Sequence, residues 1–377
     1  MTAKYYQVAV IGGGLAGLTL AIQLAQEGHS CILFEKNSYP FHRVCGEYIS
    51  KESWNFMERL GLDLSSFQLP QINRLHISST TGNVLEHNLD LGGFGISRYL
   101  LDHALYQLAK QKGVCLLEKC KVQGCEFVDD YFIIQSNLGI YTAQVCAGAW
   151  GKHSHMDHSL SRRFLRQRRK KENYVGVKYH VKLPFPDDLI ELHNFENGYC
   201  GISKVENETC CICYLTAAEN LKRYHGNVKK MEQALVKENP RLATYFESAQ
   251  FLFEEPLTIS QISIGYKSVV EKQVLMLGDA AGNIAPLSGN GMSMAMRSSM
   301  TLAKLISAYL NRRISRQELN TRYEKWWKKQ FKKRIQLSKS LQRLLKSKAM
   351  TDVIITVLKY IPFLRNTLVK STHGQPF

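Results

Sequence analysis

No run in this 377-residue chain approaches the roughly 20 consecutive apolar positions that a bilayer-spanning helix requires, so no membrane-crossing segment is expected. No charged and apolar leader precedes the first strand-like run, and the expected compartment is the cytoplasm. Internal repeats, low-complexity tracts and a serine nucleophile elbow are also missing. The ten cysteines form no framework: they are scattered through strand-like segments of a long chain, as reduced thiols are. The one tight group, Cys210-Cys211-x-Cys213, lies in an apolar run, so its members alternate between strand faces, and no second cysteine pair supplies the other ligands of a metal site. Acidic side chains are in deficit, 32 against 49 lysines and arginines, giving a formal net charge of +17 at pH 7. The excess is uneven, since residues 312–370 hold 17 basic residues against Glu318, Glu324 and Asp352, a net +14. A smaller basic cluster occupies 162–171.

Two glycine-punctuated segments stand out against this background. Near the start, Gln7-Val-Ala-Val-Ile11 reads as a buried parallel strand, followed by Gly12-Gly13-Gly14-Leu15-Ala16-Gly17 and a helical run to Gln26. This is G-x-G-x-x-G in its required strand-to-helix context: Gly12 permits the tight turn, Gly14 admits a pyrophosphate to the backbone, and Gly17 lets helix and strand pack closely. The backbone donors at Leu15 and Ala16 open a helix whose N-terminus attracts phosphate. A second strand, Cys31-Ile-Leu-Phe34, ends at Glu35, 18 residues beyond Gly17, where a ribose-binding carboxylate belongs. This half alone does not separate FAD from NAD.

The second segment runs from an apolar strand at 274–277 through Gly278 and Asp279 to Pro286, Gly289, Asn290, Gly291 and Met292, where a helix begins. The Asp279 carboxylate suits ribityl hydroxyls, while Gly289 and Gly291 let bare N–H groups approach the electron-rich edge of an isoalloxazine ring. One motif for an adenosine diphosphate and a distant one for a ribityl and ring point to FAD stretched across a sheet.

These residues, with Arg43-Val-Cys45-Gly46-Glu47, Ser97-Arg98-Tyr-Leu-Leu-Asp102 and Ala149-Trp150-Gly151, make the chain resemble FAD-dependent oxidoreductases of the geranylgeranyl reductase and aromatic-hydroxylase superfamily over residues 5–310. The resemblance implies an α/β fold: a Rossmann-type FAD domain from 1–75, 98–160 and 265–310, an interleaved mixed-sheet substrate domain from 76–97 and 161–264, and a basic helical C-terminal region over 311–377. It also implies cofactor contacts from Lys36, Arg43, Arg98 and the Val122 backbone, the last at the adenine end. Cys45, Arg43 and Glu47 would border the reacting face. Cys45 has a packing alternative, Arg98 that of a solvated first-turn charge, and Glu47 either donates a proton, if burial raises its pKa, or pairs with a base. Where hydroxylase-like relatives carry Ala-Asp-Gly, this chain has Trp150, which weakens the oxygenase reading. Trp54, Trp150, Trp326 and Trp327 lack the Trp-x-Trp spacing of tryptophan-type flavin halogenases.

The expected activity is reduction of C=C bonds in an apolar isoprenoid or polyene. The alternatives are monooxygenation of a phenolic or polyketide substrate, and a non-catalytic flavin-binding or membrane-anchoring protein. No second dinucleotide loop is visible, so NAD(P)H would bind in an open groove or a protein would donate electrons. His153-x-His155-x-Asp157-His158 reads as a polar surface turn rather than a metal site. The basic tail, with Trp326, Trp327 and Phe331, is expected to visit the inner face of an anionic membrane, its bland alternative being a helix that packs those rings inward. No nucleic-acid recognition module is present.

Overall fold

The computed structural model describes residues 4–165, 173–236, 238–344, 347–372 and 374–377; residues 166–171 of the smaller basic cluster lie outside them. Strand Lys4–Ile11 sits between Gly139–Gly148 and Cys31–Phe34, parallel to both, and the order continues to Cys115–Leu117 on one side and Val274–Met276 and Val270–Glu271 on the other. Apolar side chains cover both faces: Val8, Val10, Ile32 and Leu33 are fully buried, as a parallel sheet flanked by helices requires. Helix Leu15–Gln26 packs along helix Gly291–Leu310, with Thr19 Oγ1 2.7 Å from Ser299 Oγ. The two glycine-rich segments thereby open into helices that lie side by side.

The second sheet has nine strands, with Tyr174–Lys182, Cys210–Ala217, Gly198–Lys204, Leu189–Phe195, Gln71–Ser78 and Val84–Gly95 as consecutive neighbours. Leu189–Phe195 runs parallel to Gln71–Ser78; the other pairs in that run are antiparallel. The boundary expected at residue 75 is corrected, because it would cut Gln71–Ser78, a strand paired on both sides within this sheet. Tyr48–Ser50 also belongs here, paired to Val84–Gly95.

The C-terminal region forms three helices, Arg316–Leu344, Lys348–Tyr360 and Pro362–Thr372. The first is built into the molecule. Tyr323, Trp327, Phe331 and Ile335, spaced four apart, are buried, and the Tyr323 hydroxyl donates to the Met276 carbonyl over 2.8 Å. The expectation that Trp327 and Phe331 anchor a membrane is therefore corrected: core contacts already use the rings. Beyond the last helix the chain returns to the nucleotide domain, where the Phe377 ring lies 5.4 Å from Phe56 and under the Arg297 guanidinium. Among the described residues no helix is long and apolar enough to cross a membrane.

Candidate FAD and substrate site

A cavity of about 1600 Å³ lies between the two sheets. Its wall collects Gly12, Gly14, Leu15, Ala16, Glu35, Lys36, Arg43, Cys45, Glu47, Arg98, Val122, Gly278, Asp279, Pro286, Gly289, Gly291 and Met292. Two residues expected in contact with a cofactor do not line it. Gly17 faces the turn instead, where a Cβ would collide with the Gly12 carbonyl, and Asn290 is buried at the start of helix Gly291–Leu310. Gly12 itself has φ +109°, and a Cβ there would come within 2.5 Å of the Ala149 carbonyl oxygen.

At one end the Glu35 carboxylate accepts from the Gly13 N–H at 3.0 Å and from Asn37 N and Nδ2, both at 3.0 Å. Arg43 joins this end, not the far one. Its guanidinium donates to Asp102 at 2.9 Å and to the Gly13 carbonyl and Glu35 at 3.3 Å, which holds the side chain beside the first glycine loop. Arg98 forms a two-pronged pair with the same buried Asp102, both bonds 2.8 Å, and approaches Gly14. Burial works against the Arg98 cation, but Asp102 overcomes it and the net shift is upward. Two permanent cations thus flank the glycine loop. Val122 sits at this end too, beside Lys36, Asn37 and Lys121.

At the other end Cys45 Sγ lies 3.7 Å from Met292 Sδ, so the Cys45 segment and the second glycine motif meet there. Asp279 lines the wall, and its carboxylate has no partner among the described residues. Its backbone is fixed by buried Lys267, whose ammonium donates to the Asp279 and Lys152 carbonyls at 2.9 Å each. Arg162, assigned from sequence to a basic cluster, is instead fully buried and ties Asp157 to the Ala280 and Ser268 carbonyls. Asp157 also accepts from Trp150 Nε1 at 3.0 Å, so the His153–His158 segment is a clasp on the cavity wall rather than a free surface turn.

Glu47 is the largest departure. It is fully buried at φ +56°, 2.5 Å from Lys178 Nζ and 2.6 Å from His180 Nε2, and it accepts the Arg98 N–H at 2.7 Å. Burial pushes its carboxyl up, but the Lys178 ammonium and His180 together hold it down at about 2, the arrangement of the second of its two readings, a carboxylate paired with nearby bases. Lys178 is raised, its burial outweighed by Glu47. Cys211 approaches as well, its Sγ donating to the Cys45 carbonyl at 3.4 Å. Glu47, His180 and Cys211 offer ligand atoms within 4.8 Å of one another, a spacing open to a metal, but the Lys178 ammonium already supplies the countercharge.

Strand register explains why sequence reading missed Lys178 and His180. They pair with Cys213 and Cys211, which pair in turn with Gly201 and Ser203, and these with Leu192 and Ile190. One face of the second sheet thus grades from Lys178 and His180, through Cys213 and side-chain-free Gly201, to Leu192, Ile190, Leu75 and Ile77, all lining the cavity except Lys178, His180 and Cys211.

The residues fit FAD. Gly14 and Gly291 leave the cavity floor bare where helices Leu15–Gln26 and Gly291–Leu310 present their N-termini, and a Cβ at either would meet nothing closer than 3.7 Å. The volume exceeds the roughly 300–1,000 Å³ of a single small-ligand site. The model of a family described as FAD binding domain matches residues 5–332. The chain belongs to that family. It is an FAD-dependent oxidoreductase. Among curated relatives it is 24% identical to conditioned medium factor receptor 1 of Dictyostelium discoideum, over 90% of this chain and 71% of that protein. It is 23% identical to kynurenine 3-monooxygenase of Flavobacterium psychrophilum, over 82% and 74%. A solved geranylgeranyl bacteriochlorophyll reductase-like protein from Thermoplasma acidophilum shares its fold with a TM-score of 0.80 at 18% identity, covering 98% of this chain and 96% of that one.

Proposed function

We propose that this flavoprotein reduces C=C bonds in a long apolar substrate of isoprenoid or polyene type, receiving electrons from NAD(P)H at an open groove or from a protein donor. The observation that carries this reading is the aliphatic half of the cavity. Beyond the Cys45–Met292 end, Leu75, Ile77, Leu85, Leu89, Ile190 and Leu192 line it from the second sheet, and Leu341, Ile355, Leu358 and Val369 from the C-terminal helices. Such a chamber desolvates a hydrocarbon chain and offers little to a compact polar substrate. Bound FAD supplies two-electron chemistry. The chain's own residues do the rest: Glu35, Arg43 and Arg98 hold and orient the dinucleotide end, Asp279 meets the ribityl, and Cys45 and Met292 border the substrate. The Glu47–Lys178–His180 cluster fixes the backbone that carries Cys45. The geranylgeranyl reductase-like neighbour agrees with this reading, and Trp150 in the place of a motif carboxylate weighs against oxygenation. With such a substrate we also infer peripheral association with a membrane's inner face.

The test is an anaerobic single turnover. Enzyme reduced by dithionite is mixed with a polyprenyl substrate, and both flavin reoxidation and product mass are read. Reoxidation without oxygen, with one double bond saturated per flavin, is the expected result. Reoxidation only on admitting oxygen, matched by an oxygenated product, would establish the monooxygenase reading suggested by the kynurenine 3-monooxygenase relative.

A further inference from the structure

Helix Lys348–Tyr360 is apolar on two opposite sides. Ile354, Ile355 and Leu358 line the cavity. On the outside, Met350, Val353, Val357 and Tyr360 recur at intervals of three and four residues, one stripe of an α-helix, and all are exposed. The stripe continues through Ile361, Phe363 and Leu364 at the start of helix Pro362–Thr372; Val353 is 56% exposed, Tyr360 76% and Phe363 77%. An apolar stripe on a helix normally faces something apolar, and exposed patches of this kind mark interaction surfaces. The charge around it selects the occupant. Lys359 and Arg365 belong to the same two helices as the stripe, whose one acid is Asp352, and Lys348 is paired with Glu238; the whole segment 312–370 has an excess of +14. Exposed aromatic and aliphatic side chains in a strongly basic segment match the interface of an anionic bilayer, where rings settle at headgroup depth and lysines meet lipid phosphate. Leu344, at the end of the preceding helix, lines the cavity and is still 45% exposed, so the cavity reaches the surface there.

We propose that the outer face of these two helices docks on anionic membranes and that the mouth at Leu344 opens against the lipid, so that an apolar substrate enters without crossing water. This inference rests on the apolar-substrate reading above for its purpose, but not for its readout, because docking is scored without substrate. The helices are held at both ends: the Lys348 ammonium pairs with Glu238 at 2.9 Å, Thr81 donates to Asp352 at 2.5 Å, and the chain after Pro362–Thr372 packs on Phe56 and Arg297. The stripe is thus a fixed surface.

The experiment uses the full FAD-loaded chain and vesicles of phosphatidylcholine alone or with phosphatidylglycerol, cosedimented at low and high salt. Wild type is expected to bind the anionic vesicles and to lose at least tenfold in partitioning when salt is raised, since about one Debye length of 8 Å at physiological ionic strength shrinks to about 3 Å at 1 M. Tyr360→Ser/Phe363→Ser, and separately Val353→Ser/Val357→Ser, should each bind at least tenfold less at low salt with unchanged flavin content. Equal binding by wild type and both variants overturns the proposal. So does a wild-type dimer in light scattering that dissociates in the variants while vesicles remain unbound, which would make the stripe a contact between two copies. A protein that docks but fails the anaerobic turnover would refute the substrate reading and leave the docking face standing.

Discussion

Lys178→Met removes the ammonium that faces Glu47 from 2.5 Å in a fully buried pair. Losing one partner of a buried ion pair costs about 3–5 kcal/mol, because the remaining charge is left without compensation. The pH dependence carries the sign. In the native protein the Glu47 carboxyl is held at about 2 against an ordinary 4.5, worth about 3 kcal/mol at 1.36 kcal/mol per pH unit. A depressed carboxyl contributes stability that is fully present above pH 4.5 and lost as pH falls toward 2. In Lys178→Met, burial is no longer opposed by that ammonium and the Glu47 carboxyl moves up, so the penalty is greatest at high pH and eases on acidification. Urea unfolding of the FAD-loaded variant should therefore show a loss of about 3–5 kcal/mol at pH 8 and a visibly smaller loss at pH 5. Lys178→Met/Glu47→Gln should regain much of it, since the buried charge is gone. A loss below about 1 kcal/mol, or one that is equal at both pH values and not relieved in the double variant, would refute the assignment of Glu47 as an ion-paired anion.

Asp279→Ala should raise the Kd for FAD about tenfold to a hundredfold, the cost of leaving buried hydroxyls without an acceptor at roughly 1–3 kcal/mol, with little change in apoprotein melting. Glu35→Ala should lower both affinity and melting temperature, because that carboxylate also holds the Gly13 N–H and Asn37. Cys45→Ala should change the rates of flavin reduction and reoxidation at normal flavin content, whereas Arg43→Ala should chiefly weaken FAD binding; stopped-flow traces and equilibrium titration separate the two, and a converse pattern would move Arg43 back to the reacting face. Gly201→Phe, filling the bare centre of the sheet face, should abolish binding of a polyprenyl ligand while flavin is retained, as followed by flavin fluorescence.

The parts of the site legible in the sequence are those in which chain-local geometry makes the site. Gly12, Gly14 and Glu35 belong to one strand–turn–helix–strand unit, and Gly278 to Met292 to one strand–turn–helix passage, so spacing alone places them. The Glu47 partners were not legible because they arrive by strand register across sequence separations of 131 and 133 residues, and in a strand that alternates with apolar positions Lys178 reads as solvent-facing. Arg162 and Lys267 were hidden likewise: both look like ordinary surface cations until tertiary contacts supply carbonyl acceptors. The C-terminal region held a readable clue that charge obscured. Tyr323, Trp327, Phe331 and Ile335 form a four-residue stripe, the mark of a packed helix face, inside a strongly basic segment. What counted as a tail is a wall of the cavity, and the exposed apolar surface lies one helix further on.

The most direct test of the central claim, an FAD lying between residues 12–17 and 278–292, is to release the chromophore of the purified protein with acid and identify it by chromatography. One equivalent of noncovalent FAD per chain is the predicted result, falling sharply in Asp279→Ala. Recovery of FMN, of a flavin that stays covalently attached, or of FAD whose content is indifferent to Asp279 would contradict the account.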